Sequence, residues 1–224
     1  MLLVHGLSGS RRWWAPTVPA LAERFRVYTL DLPGFGSTRR SRRRALASAP
    51  AWLLGWMQAV GLPAAHVVGH SMGGYVALRL AAEAPAAVRR LVLVAPAGVP
   101  TGASLLGHAV PLAAAVRHLP LSFVPVLVRD ALSAGPATIW RAARDLLAED
   151  ARLLHLAQVA APTLLIWGSQ DSLTPVSAAP LLRTAIPDAR LLVLDGAGHV
   201  PMYERTSELN AALFAFLSGR VVGE

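Results

Sequence analysis

The sequence predicts an α/β fold with a mostly parallel central sheet, helices on both faces and a small helical cap. Three observations carry that prediction. First, short apolar runs at 2–5, 26–31, 65–70, 90–95, 163–168 and 190–195 alternate with helical patterns at 13–24, 44–60, 72–83, 176–186 and 206–218. Strands that alternate with helices imply βαβ units and therefore parallel pairing. Second, the runs are continuously apolar rather than alternating, as in Leu91-Val92-Leu93-Val94, which fits strands covered on both faces. Third, the rhythm fails once, over the 67 residues from Pro96 to Pro162.

That interval is rich in Ala, Leu, Val and Pro, with helical pieces near 105–116, 123–132 and 137–147. It reads as an insertion of short helices over the C-terminal edge of the sheet, residues 96–161; loops of such length are uncommon in compact domains. The alternative is a pair of ordinary crossover helices with long loops. At 224 residues, 54% apolar and 15% charged, the chain is expected to fold as one domain, 1–224, with a full core.

Composition removes several function classes. There is no cysteine, hence no disulfide framework, thiolate metal site or cysteine nucleophile. The net charge of +8 comes from arginine alone, and five arginines fall between Thr38 and Arg44 with Arg26 nearby. No aromatic residue interleaves with that run, so a base-stacking surface is unsupported; a solvated loop is expected, with no nucleic-acid partner. The stretch 105–128 is apolar but interrupted by His108, Arg117, His118 and three prolines, a poor membrane span. Met1-Leu2-Leu3-Val4 runs into His5-Gly6 without a basic start or cleavage site, so a cytoplasmic location is expected. Neither H-E-x-x-H nor G-x-x-x-x-G-K occurs, and no metal or nucleotide cofactor is expected.

The chemistry centres on Gly69-His70-Ser71-Met72-Gly73, which fits G-x-S-x-G between a strand and a helix. On such a turn a serine stands exposed at the strand tip, with a helix N-terminus behind it to favour developing negative charge. Acyl transfer also needs backbone N–H groups aimed at the oxyanion. The glycine turn His5-Gly6-Leu7-Ser8-Gly9 can present the N–H of Leu7, and Met72 can present the second.

A serine hydroxyl needs a base. Of seven histidines, His66 and His70 flank the elbow but should point to the other face of the strand, while His108, His118 and His155 fall in the insertion. His5 belongs to the oxyanion turn. His199, in Asp195-Gly196-Ala197-Gly198-His199, follows the last strand at the same sheet edge as Ser71 and is the expected base. Asp171, after the run 163–168 and four residues before Pro175, is the carboxylate that would orient it, or else a turn and helix-capping residue. Trp13 and Trp14 are candidate substrate contacts, or else helix packing.

These residues together resemble the α/β-hydrolase superfamily over nearly the whole chain: His5-Gly6, Asp31-Leu32-Pro33-Gly34-Phe35-Gly36-Ser37, the serine elbow, Gly168-x-x-Asp171 and Gly198-His199. The resemblance implies that Asp31 and Gly34–Gly36 are structural, that Pro201-Met202-Tyr203-Glu204 opens the C-terminal pattern, and that 96–161 is a lid. It also marks a departure: the usual N-terminal strand pair is not found ahead of His5, which would leave 27–30 as an unpaired edge.

A serine rather than an aspartate at the elbow points away from the dehalogenases and epoxide hydrolases of that family. The expected activity is hydrolysis of carboxylic esters of small to medium hydrophobic substrates through an acyl-enzyme. Cleavage of a carbon–carbon bond in a diketone is the alternative, and a non-catalytic ligand-binding protein is a second.

Overall fold

The computed structural model describes residues 1–40, 46–99, 119–148 and 155–224. Six strands form one sheet: β1 (Leu2–Val4), β2 (Tyr28–Leu30), β3 (Ala65–His70), β4 (Val88–Val94), β5 (Thr163–Gly168) and β6 (Ala189–Leu194). Their order is β2-β1-β3-β4-β5-β6, and every neighbouring pair is parallel. All six runs expected from the sequence are strands. Eight α-helices are described: α1 (Val18–Ala22), α2 (Ala49–Ala59), α3 (Met72–Glu83), α4 (Val124–Ala134), α5 (Pro136–Leu147), α6 (Ala179–Ala185), α7 (Pro201–Glu204) and α8 (Thr206–Leu217).

The continuous apolar strands are explained by two separate cores. Leu2, Val4, Val67, Leu91, Leu93, Leu165 and Trp167 face α2, α3 and α6, meeting Leu53, Met57, Val76, Leu80 and Leu182. The intervening residues Leu3, Val68, Val92, Val94, Leu164 and Ile166 face α1 and α8, meeting Leu21, Leu209, Leu213 and Phe216. Period-two alternation thus sends each strand's side chains to opposite faces, and both faces are buried. At about 1.5–3 kcal/mol for each large side chain removed from water, these two layers supply most of the drive to fold.

Prolines account for where helices fall short of the sequence pattern. The stretch 13–24 divides into a 3-10 turn at Arg11–Trp14 and the short α1, with Pro16 and Pro19 between and within them. The stretch 44–60 begins as a 3-10 turn at Leu46–Ser48 before α2, whose Pro50 sits in the first turn, where a missing N–H costs nothing. Pro180 does the same for α6. The helical piece expected at 105–116, with His108 and His118, and the arginines at 42–44 lie outside the described residues.

The order β2-β1-β3 places a topological switch between β1 and β3, because the chain leaves β1 toward one side and returns on the other. Ligands in open parallel sheets bind beyond the carboxyl ends of the strands at such a switch. The glycine turn 5–9 follows β1 and Ser71 follows β3, so both reach that crevice. β2 is an edge of the sheet. At the opposite edge, Leu191 of β6 exchanges two backbone hydrogen bonds with Glu224, at 2.8 and 3.0 Å.

Described parts of the β4–β5 connection pack against the turn after β1 through a buried polar clasp. Asp130 on α4 is 1% exposed; it accepts from Ser10 Oγ at 2.6 Å and from Arg12 at 3.2 Å. Phe123, just before α4, stacks edge-on with Trp13 at 5.0 Å and contacts the Tyr203 ring at 4.5 Å. Ala142 of α5 enters the core on the α2–α3 face. Removing the Asp130 carboxylate leaves the Ser10 hydroxyl without its acceptor, a change of about 1–3 kcal/mol. Asp130→Ala should therefore lower the melting temperature by roughly 2–10 °C and increase hydrogen exchange in α4 more than in β3 or β4. Uniform exchange across the chain would show that the clasp does not hold α4 separately.

Candidate active site

The elbow is built by close approach of backbones. Ser71 has φ 52° and ψ −119°, a left-handed conformation that a side chain adopts only at a cost of about 1–3 kcal/mol. Its neighbours stabilise it: Ser71 donates its N–H to Val94 O at 3.0 Å, and its carbonyl accepts from Tyr75 and Ala97, both at 3.1 Å. Gly73 must be glycine, since a Cβ there would overlap the carbonyl oxygens of Val4 and His5. Gly6 faces the nucleophile from the other side, where a Cβ would lie 3.1 Å from Ser71 Cβ and 2.8 Å from a ring nitrogen of His70. The glycine turn after β1 therefore abuts Ser71. Neither Leu7 nor Met72 spends its backbone N–H on a described internal hydrogen bond.

Three sequence-predicted side chains come together here from three different strand ends. His199 Nε2 lies 3.1 Å from Ser71 Oγ, and His199 Nδ1 lies 2.8 Å from Asp171 Oδ2. With Nδ1–H donating to the carboxylate, Nε2 is left with a lone pair facing the serine hydroxyl. Asp171 uses both of its oxygens. Oδ1 accepts from the N–H groups of Leu173 and Thr174 at 2.9 and 3.0 Å, capping the turn, while Oδ2 serves His199. Burial pushes the Asp171 carboxyl up, but His199 and the Thr174 hydrogen bonds outweigh it and hold the group below the usual range.

The tryptophans answer differently. Trp14 has no exposure and Trp13 is 5% exposed; both belong to the core on the α1–α8 face. Trp13 packs on His70 at 5.6 Å and on Phe123. Their role here is packing, because the 3-10 turn that carries them lies flat on the sheet instead of forming the first turn of a longer exposed helix.

His70 packs on Trp13, on the face of the sheet that Val68 also serves, as strand alternation requires. From there its Nε2–H donates to the His199 carbonyl at 2.7 Å, and the two rings lie 4.9 Å apart. It thus reaches the loop that carries His199 and not the Ser71 hydroxyl. Burial, then the neighbouring His199, lowers the His70 pKa to about 3, so it stays neutral. His5, also buried and shifted down, accepts the Leu32 N–H on Nε2 at 3.0 Å and ties the oxyanion turn to the loop after β2. Asp31 closes that loop. Burial raises its pKa, but hydrogen bonds from the Arg11 N–H and the Ser37 N–H and hydroxyl bring it below the ordinary value.

Two further residues hold the loop carrying His199. Glu204 accepts the N–H groups of Gly198 and Val200, one on either side of the histidine, and burial pushes its carboxyl pKa up. Thr174 donates to Asp171 Oδ2 at 2.8 Å, and its carbonyl receives the Trp167 indole N–H at 2.5 Å. The spacing Asp171-x-x-Thr174 was a readable turn signal; nothing local marked His70 or Glu204, whose partners are loop backbone groups.

His70 gives the protein a pH dependence of definite sign. Its folded pKa of about 3 lies below the ordinary 6.5, so between those values the unfolded chain binds a proton the folded chain refuses, and stability falls as pH falls. At pH 5 the penalty is about 2 kcal/mol. His70→Gln keeps a donor toward the His199 carbonyl but cannot titrate, so the loss of melting temperature between pH 7 and pH 5 should shrink by roughly 4–8 °C. An unchanged loss in calorimetry across that range would place the acid sensitivity elsewhere.

Comparison with known proteins agrees with this geometry. A family model described as the alpha/beta hydrolase family matches residues 1–212. The chain is 33% identical, over 97% of its length, to the dihydrolipoyllysine-residue acetyltransferase component of an acetoin cleaving system from Pseudomonas putida, and spans 63% of that protein. It is 31% identical to a pimeloyl-[acyl-carrier protein] methyl ester esterase from Nitrosomonas europaea, over 90% of this chain and 88% of that one. Among solved structures, a meta-cleavage product hydrolase from Pseudomonas fluorescens IP01 superposes with a TM-score of 0.73 at 25% identity, over 97% of this chain and 89% of that one. With a family match across nearly its whole length, a parallel sheet and a serine elbow at the switch point, the chain belongs to the alpha/beta hydrolase family.

Proposed function

We propose that this hydrolase is a serine esterase that cleaves carboxylic esters of small to medium hydrophobic substrates. The observation that carries the reading is the continuous hydrogen-bonded chain from Ser71 through His199 to Asp171, beside two N–H groups without a described internal partner. His199 Nε2 takes the Ser71 proton as Oγ attacks the acyl carbonyl. Asp171 keeps Nδ1 protonated and stabilises the imidazolium. The N–H groups of Leu7 and Met72 hold the oxyanion, which the N-terminus of α3 also favours. Collapse passes the proton from His199 to the departing alcohol, and water repeats the sequence on the acyl-enzyme.

The acyl group is placed against Leu32, Phe35, Met72 and Ala142, which line an apolar cavity beside the elbow. Because Ala142 belongs to α5, the described helix α5 of the segment expected as a lid is read as covering the site, while 100–118 and 149–154 of that segment lie outside the described residues. The esterase relative supports an ester substrate, and the meta-cleavage relative keeps carbon–carbon hydrolysis as the competing reading.

A chain-length series of p-nitrophenyl esters, run beside a vinylogous diketone, tests this. Turnover should be highest for short acyl chains and should fall by about 10⁴ in Ser71→Ala, His199→Ala and Asp171→Asn. Leu46→Ala, which enlarges the apolar cavity, should move the optimum to longer chains. Turnover of the diketone alone would assign carbon–carbon cleavage, and ligand binding without any turnover would overturn the enzyme reading.

A further inference from the structure

A second, larger cavity lies along the same loop as the first and has the opposite character. It is an open groove of about 710 Å³ lined by Arg11, Arg12, Arg39 and Arg129, together with Asp31, Gly36, Ser37, Leu132 and Ser133. The two cavities share one loop. Leu32, Pro33 and Phe35 line the apolar cavity with Met72, while their immediate neighbours Asp31 and Gly36 line the groove. Consecutive Cα atoms are about 3.8 Å apart, so this one loop supplies a wall to both cavities.

The groove carries an excess of positive charge. Arg12 is paired with Asp130. Arg11, Arg39 and Arg129 are exposed and make no ion pair among the described residues. The single lining carboxylate, Asp31, offsets one charge at most, and its oxygens are taken by the N–H of Arg11 and the N–H and hydroxyl of Ser37 rather than by a guanidinium. A single carboxylate on a ligand would occupy one guanidinium. Three unpaired ones, on the turn after β1, the loop after β2 and α4, match a ligand with several phosphate oxygens, which the guanidinium fork binds bidentately. The volume suits a nucleotide-sized group, and Leu132, 78% exposed, offers it an apolar surface.

We propose that this groove holds the multiply phosphorylated, nucleotide-sized handle of an acyl thioester whose acyl end reaches Ser71. The inference rests on the serine-esterase reading for its chemistry. The acyl carbon exchanges its bond to sulfur for one to Ser71 Oγ, the thiol leaves with the proton carried by His199, and water then releases the acid.

Two measurements separate this from the reading it rests on. The first is calorimetric binding of coenzyme A to Ser71→Ala, which needs no turnover; the triple substitution Arg11→Gln, Arg39→Gln and Arg129→Gln should weaken it at least tenfold. The second is the ratio of kcat/KM for acetyl-coenzyme A to that for p-nitrophenyl acetate, which should fall at least tenfold in the same triple variant. Arg89→Gln, Arg183→Gln and Arg220→Gln, which remove the same charge elsewhere, should leave the ratio unchanged. Binding of ADP that is weakened by the groove variant, with no change in the ratio, would overturn the substrate handle in favour of a free nucleotide. Binding to phosphatidylglycerol vesicles without binding to coenzyme A would overturn the groove as a small-molecule site. Turnover of p-nitrophenyl acetate without coenzyme A binding sinks this proposal and leaves the esterase standing; coenzyme A binding without turnover of either substrate overturns the esterase and, with it, the acyl-thioester assignment of the groove.

Discussion

The left-handed backbone of Ser71 is the constraint around which the rest of the molecule is arranged. A strand that simply ran into a helix would bury the serine hydroxyl; a positive φ at that residue lifts it out of the sheet. The cost of that conformation is offset by hydrogen bonds to Val94, Tyr75 and Ala97, and by small residues that let backbones meet. Gly73 lets α3 press against the end of β1, so the oxyanion turn and the serine are neighbours because two backbones touch. Any side chain at that contact would separate the hydroxyl from the N–H groups proposed to receive the oxyanion.

Around that elbow, polar groups that look dispersed in the chain act on loop backbone. His70 receives no proton near neutrality because it is wholly buried, and its one donor is spent on the carbonyl of His199. Glu204 takes the N–H groups on both sides of the same histidine, and Thr174 braces Asp171. The imidazole is thus held at its ring by Asp171 and at its backbone by His70 and Glu204. Such over-determination is what a base needs if its lone pair is to stay aimed at a hydroxyl without reorganising during the reaction.

The legible features were those with a local signature. Six strands could be read because each is a short apolar run, and Ser71, Asp171 and His199 because each follows such a run in the right order. The helix at 13–24 was misread because apolar spacing there outweighed two prolines that break it into shorter turns. Trp13 and Trp14 looked available for substrate because a sequence does not show which face of a short turn meets the core. His70 obeys strand alternation, but the sequence does not show that the loop after β6 passes over its face of the sheet.

By itself the sequence determined the parallel α/β sheet, the serine elbow with Asp171 and His199 following later strands in order, and the abundance of arginine. These follow from residue type and order, which local physics converts directly into strands, turns and chemistry. Only the tertiary structure decided that His70 and Glu204 serve His199, that Asp130 clasps α4 to the turn after β1, and that Arg11, Arg39 and Arg129 face one groove. Those contacts join residues as far as 129 positions apart in the chain. Such pairings exist only once a sheet brings the strand ends together, and no local pattern records them.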